Sequence, residues 1–214
     1  MNLKKHLLKL TLIIIIIYKI TYFIISIMCG RYSLYSSDEI RNKFGIHVEP
    51  NYNISPGNKV LIIDDRVLIN KVTWGINFPW LKNKIHINAR LESINKGSFY
   101  SNYKRCIFIS DGYFEWKKNK DYKTPYFHYL KDSFIYMAGL YNDNGAIIVT
   151  IQSSSKLNDI HHRQPLIIKD NHLNTWIQKR KIVPINTENI YFHKISNRIN
   201  NNKNNQKNLL KKIN

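Results

Sequence analysis

Apolar residues recur along this chain mostly in short β-branched and aromatic runs separated by polar turn signals, and only briefly at the spacing of a helix face. Two such runs, 60–63 and 67–74, flank the acidic turn Asp64-Asp65 and predict a hairpin. A short strand over 85–89 leads into a predicted helix around 90–95. Five further strands are predicted over 105–110, 113–117, 125–130, 134–141 and 146–151, with turns at Asp111-Gly112, 118–121 and 142–145. Helices are few. Ser36-x-x-Glu39 reads as a capping box before Ile40 and Phe44, stopped by Gly45. Others are predicted over 154–159 and, capped by Asp170, over 172–178. Many close strands with few short helices predict an α+β fold built on a mainly antiparallel, barrel-like sheet with short flanking helices.

The two ends depart from this pattern. Residues 1–27 combine a basic start, Lys4 and Lys5, with an apolar run over 7–27 long enough to span a bilayer, although Lys9 and Lys19 interrupt it. It reads as an anchor, as a leader lacking the small-x-small cleavage pattern, or as untranslated upstream sequence. We expect translation to begin at Met28, a domain over 28–200, and a disordered basic tail over 201–214, where Asn and Lys dominate.

The 33 basic residues outnumber the 14 acidic ones, for a formal charge of +19. Without the four lysines of the extension the remainder still carries +15, which favours a polyanionic partner, nucleic acid or an anionic membrane. Cys29 and Cys106 make no disulfide framework, and no Cys/His cluster has zinc-site spacing, so no metal or cofactor is expected. Cys106 reads as a buried strand residue without a role.

Four positions carry candidate chemistry. If Met28 is the initiator and is removed, Cys29 becomes a 1,2-aminothiol, able to condense with an aldehyde and close a five-membered thiazolidine; otherwise it is a small buried thiol. Glu115 lies between Phe114 and Trp116. Turned inward, its pKa would rise to suit a proton donor and acceptor; turned outward, it leaves the core to the two aromatics. Asn88 closes a strand as a turn former or a site residue, and His161 is a loop residue or a catalyst.

Met28-Cys29-Gly30-Arg31-Tyr32, Tyr52-Asn53-Ile54-Ser55-Pro56, Trp74-Gly75, Asn88-Ala89-Arg90-x-Glu92, Asp111-Gly112-Tyr113-Phe114-Glu115-Trp116, Ala138-Gly139-Leu140-Tyr141 and Ile160-His161-x-Arg163-x-Pro165 follow one another in order. Together they resemble the SOS response-associated peptidase (SRAP) family. The resemblance implies a mixed β-barrel with flanking helices, and a sensor of abasic sites in single-stranded DNA that captures the lesion's aldehyde as a thiazolidine. It further implies Cys29 as nucleophile, Asn88 positioning the sugar or amine, Glu115 as acid/base and His161 hydrogen-bonding the opened sugar. Arg31 and Arg90 would hold phosphates, Trp74 would pack on bases, and Ser196 would line the DNA groove. A monomer in the cytoplasm, associated with the nucleoid, is expected, with membrane association only if 1–27 is translated and retained. Gln164 stands where family members commonly have Met, a change that touches loop packing. A cysteine-type (auto)peptidase using Cys29, His161 and Glu115 is the alternative, and a membrane-anchored domain binding polyanions by charge is a third reading.

Overall fold

The computed structural model describes residues 29–78, 85–94, 96, 98–179, 184–185 and 187–214. The strands in chain order begin with β1 (Arg31–Leu34), β2 (Asn51–Ile54), β3 (Lys59–Ile63), β4 (Ile69–Thr73), β5 (Ile76–Asn77), β6 (Ile85–His86), β7 (Asn88–Arg90), β8 (Lys104–Ser110), β9 (Gly112–Lys118), β10 (Lys123–Tyr129), β11 (Ile135–Asn142) and β12 (Gly145–Gln152); β3, β4 and β8 to β12 are the runs predicted above, and β6 with β7 stands where one strand over 85–89 was expected. Three more, β13 (Arg163–Pro165), β14 (Ile167–Ile168) and β15 (Tyr191–Lys194), are too short or too polar to show an alternation. The helices are α1 (Ser37–Phe44), α2 (Leu91–Ile94), α3 (Ser155–Asn158) and α4 (Leu173–Lys179).

The strands form a five-stranded sheet in the order β15-β10-β9-β1-β2 and a larger one in the order β13-β12-β11-β8-β3-β4, with β5 and β6 as a separate pair. Strand β14 adds to β11, and β7 runs parallel to β12; the remaining pairings are antiparallel. This is the expected α+β, mainly antiparallel architecture. Among the described residues no closed barrel is found; past β4 the chain meets the first residues of β12 through the isolated bridge of Trp74 with Ala146.

The main core, with Ile62, Trp74, Ile107, Phe108, Tyr32, Ile147 and Trp176, is drawn from both large sheets and the elements around them. A second, smaller core of Phe114, Phe127, Ile195, Ile199 and Leu209 covers the opposite face of β9 and β10. Leu209 comes from a 3-10 turn, Lys207–Leu210, inside the stretch expected to be a disordered tail. That expectation is corrected: burying Leu209 and bonding the Asn201 and Asn204 carbonyls and the Asn205 side chain to β2 offset the entropy of ordering a Lys/Asn-rich segment.

The capping box at Ser36 also reads differently in three dimensions. The Ser36 hydroxyl donates to Asp111 Oδ1 at 2.6 Å instead of capping α1, and Asp111 also accepts from the Ser36 and Tyr35 backbone. Gly45, at φ +70°, does end α1. Among the described residues no helix is long and apolar enough to cross a membrane; the run over 7–27 lies outside them.

Candidate active site

Pairing of β1 with β9 sets the site. The antiparallel register Arg31↔Phe114 and Tyr32↔Tyr113 carries the chain before β1 alongside Glu115 and Trp116. There the Cys29 backbone N–H donates to Glu115 Oε1 at 2.7 Å. Both residues are buried, Cys29 completely and Glu115 to 4% exposure. Glu115 therefore points inward, with Tyr113 on its face, while Phe114 and Trp116 face the second core. The two orientations left open by the sequence are reconciled because β9 is covered on both sides.

Burial drives the electrostatics. Loss of hydration raises Glu115 from 4.5 to about 8, against the opposing pull of hydrogen bonds from the Cys29 and Trp116 backbone. The same loss of hydration, reinforced by the Glu115 charge, pushes the Cys29 thiol well above its ordinary value. A neutral carboxyl and an intact thiol at neutral pH follow.

His161 and Glu115 line the same narrow crevice, together with Tyr113, His128, Ser153, Arg163 and Gln164. Its Nδ1 meets the Arg163 backbone, 3.1 Å from the carbonyl and 3.2 Å from the N–H, so the tautomer decides which bond forms. Burial lowers its pKa, opposed by the Arg163 backbone bond and assisted by the charges of His162, Lys123 and Arg163. Asn88 and Arg90 are placed by the parallel pairing of β7 with β12, opposite Ile148 and Thr150. Arg163 ties that strand to the His161 loop. Its guanidinium donates to both Glu92 carboxylate oxygens, at 2.7 and 3.0 Å, and to the Thr150 carbonyl at 2.7 Å.

Arg31 is half-buried, and its Nη1 donates to Asn53 Oδ1 at 2.7 Å and to the Ile199 carbonyl at 2.8 Å. Asn53 Nδ2 in turn reaches the carbonyls of Ile199, Asn201 and Asn204. Ser196 caps the 3-10 turn Asn197–Asn200 by accepting from the Arg198 N–H, so the closing segment borders Arg31. Trp74 requires correction as a base-packing residue: it is fully buried, 5.2 Å from the Tyr32 ring, and its indole N–H donates to the Ile87 carbonyl. The partly exposed tryptophan at the site is Trp116, whose N–H donates to Asn200 Oδ1 at 2.8 Å. Sequence reasoning also gave no role to Asn53, Glu92 or Arg163, although each lies inside a motif that carried the family resemblance. Gln164 is buried and accepts from the Ser154 N–H at 2.9 Å, which fixes the loop between β12 and α3. Among the described residues no group of three or more His, Cys, Asp or Glu side chains is placed to hold a metal.

The family model for the SOS response associated peptidases (SRAP) matches residues 28–202. The chain belongs to the SRAP family. It is 33% identical over 186 residues to the abasic site processing protein YoaM of Bacillus subtilis, covering 73% of this chain and 82% of the relative. It is 31% identical over 178 residues to the abasic site processing protein YedK of Escherichia coli, covering 71% and 80%. A crystal structure of a protein from Bacteroides thetaiotaomicron superposes with a TM-score of 0.72 at 22% identity, over 86% of this chain and all of that one, which shows a shared fold. Within this SRAP domain the motifs around Cys29 and around Glu115 meet through the pairing of β1 with β9.

Proposed function

We propose that this SRAP protein processes abasic sites in single-stranded DNA by capturing the opened sugar's aldehyde on Cys29 as a thiazolidine. The observation that carries the reading is the 2.7 Å contact between the Cys29 nitrogen and a buried carboxyl raised to about 8. The chemistry requires that nitrogen to be a primary amine, in a protein that begins at Cys29. The amine then adds to the aldehyde carbon, neutral Glu115 protonates the departing hydroxyl, which leaves as water, and the resulting carboxylate takes back the proton from nitrogen to give the imine. The Cys29 sulfur next adds to the imine carbon while its proton passes to the nitrogen. One amine, one thiol and one aldehyde thus become one thiazolidine and one water.

Backbone conformation supports the same reading. Cys29 has φ +44°, an uncommon value for a residue with a side chain. The carbonyl that disfavours it belongs to the preceding residue and is absent when Cys29 leads the chain. In this reading Arg31 and Arg90 hold flanking phosphates, Trp116 takes the base-packing role expected of Trp74, and Asn88, His161 and Ser196 contact the opened sugar and its strand. The peptidase alternative lacks its orienting link. Glu115 meets the Cys29 nitrogen and His161 Nδ1 meets the Arg163 backbone, with no hydrogen bond joining the two side chains.

The test is a single-stranded oligonucleotide carrying an abasic site, incubated with protein beginning at Cys29. A denaturant-resistant adduct is expected, and it is lost in Cys29→Ala and when one residue is added before Cys29. Equal yields from all three proteins reject the mechanism.

A further inference from the structure

The hairpin of β9 and β10 runs on past the site as a finger. Residues 117–123 contain four lysines, Lys117, Lys118, Lys120 and Lys123, against one acid, Asp121. The turn is ordered by the Asn119 N–H donating to the Tyr122 carbonyl at 2.9 Å and by Asn119 Nδ2 donating to Thr124 Oγ1 at 3.1 Å. Among the described residues none of these lysines enters an ion pair. Lys118 and Lys123 stand directly opposite each other across the strands, an arrangement of like charges that destabilises an isolated sheet. By strand alternation they share the face of Trp116. Beyond them Tyr122 is 65% exposed, an aromatic ring with nothing to bury it.

A partly exposed indole, an opposed pair of cations, then an exposed phenol surrounded by lysines is the pattern of a single-strand track, with cations for the backbone and rings for bases. A local conflict of like charges that the fold retains points to a polyanion as its resolution. We propose that this finger, Lys117 to Lys123 with Tyr122 at its tip, is a second contact surface that binds the DNA strand flanking the lesion. The proposal rests on the DNA reading above and extends its footprint. At about 3.4 Å per residue, Lys118 stands about 10 Å from Glu115 along the strand and the tip about 17 Å. With phosphates about 3.4 Å apart along a stacked strand, the finger meets the backbone about three to five nucleotides from the lesion.

The experiment measures equilibrium binding of the full chain to strands in which a tetrahydrofuran replaces the abasic sugar, so that no aldehyde is present and no adduct forms. A strand of about 5 nucleotides, too short to reach the tip, is compared with one of about 15, over a range of salt. Lys118→Ala combined with Lys120→Ala is expected to reduce the salt slope on the longer strand by about 1.4, that is, about 0.7 for each phosphate that the variant leaves without its lysine. Tyr122→Ala is expected to lower the ratio of long-strand to short-strand affinity about fivefold or more. Variants that match the unaltered protein in slope and ratio, or that bind both strands equally more weakly, overturn the finger. An unaltered protein that shows the finger pattern yet forms no adduct with an authentic abasic site overturns the thiazolidine reading alone. A protein that binds neither strand overturns both.

Discussion

Replacing Glu115 by Gln keeps an oxygen to accept from the Cys29 N–H and removes the one carboxyl buried at the site. Because burial raises its folded value from 4.5 to about 8, the native protein holds a proton that the unfolded chain releases between those limits. Below about pH 4.5 both states are protonated and the carboxyl costs nothing. As pH rises the unfolded state is favoured progressively, until above about 8 the native state carries a buried carboxylate at full cost. The gap between 4.5 and about 8, at about 1.4 kcal/mol for each pH unit, comes to about 5 kcal/mol. Urea unfolding of both proteins across that window is the assay. The stability of the unaltered protein should fall relative to Glu115→Gln by several kcal/mol from the acid to the alkaline end. Parallel profiles would refute a buried, proton-holding Glu115.

Three further outcomes follow from packing and pairing. Leu209→Ala should cost about 2–4 kcal/mol, because the side chain is fully enclosed in the second core, and amide exchange should rise across residues 196–210; an unchanged exchange pattern counts against an ordered carboxy-terminal segment. A Cβ at Gly112 would lie 2.3 Å from the Phe127 ring and 2.6 Å from the His128 carbonyl, so Gly112→Ala should destabilise by about 2–3 kcal/mol in thermal unfolding and slow adduct formation by displacing β9. Glu92→Gln weakens the hold on buried Arg163. Because Glu92 itself is largely exposed, a loss of about 1–2 kcal/mol is expected in urea unfolding, with a shifted His161 resonance in NMR as the sign that the loop has moved.

Local pattern alone placed the hairpin of β3 and β4, the run of strands from β8 to β12 and the short helices, because side-chain alternation and turn chemistry act over a few residues. Ordered motifs were enough to indicate the SRAP family, and Cys29 and Glu115 were legible as candidates from their neighbours in the chain. What alternation could not decide was which way Glu115 points, since a strand pattern assumes one covered face. Tertiary structure covers both: Tyr113 and Glu115 face the main core, and Phe114 meets Ile195, Ile199 and Leu209, some 80 to 95 positions away in sequence. Trp74 likewise kept its motif but is enclosed by the core, and Arg31 gained partners in the Ile199–Asn200 backbone that no local spacing announces. The order of residues 201–214 draws on buried Leu209, on carbonyls bonded to Asn53 and on hydrogen bonds of Asn205, Leu210 and Ile213 to Tyr52, His193 and Lys194, contacts that composition does not encode because they exist only once distant strands are side by side.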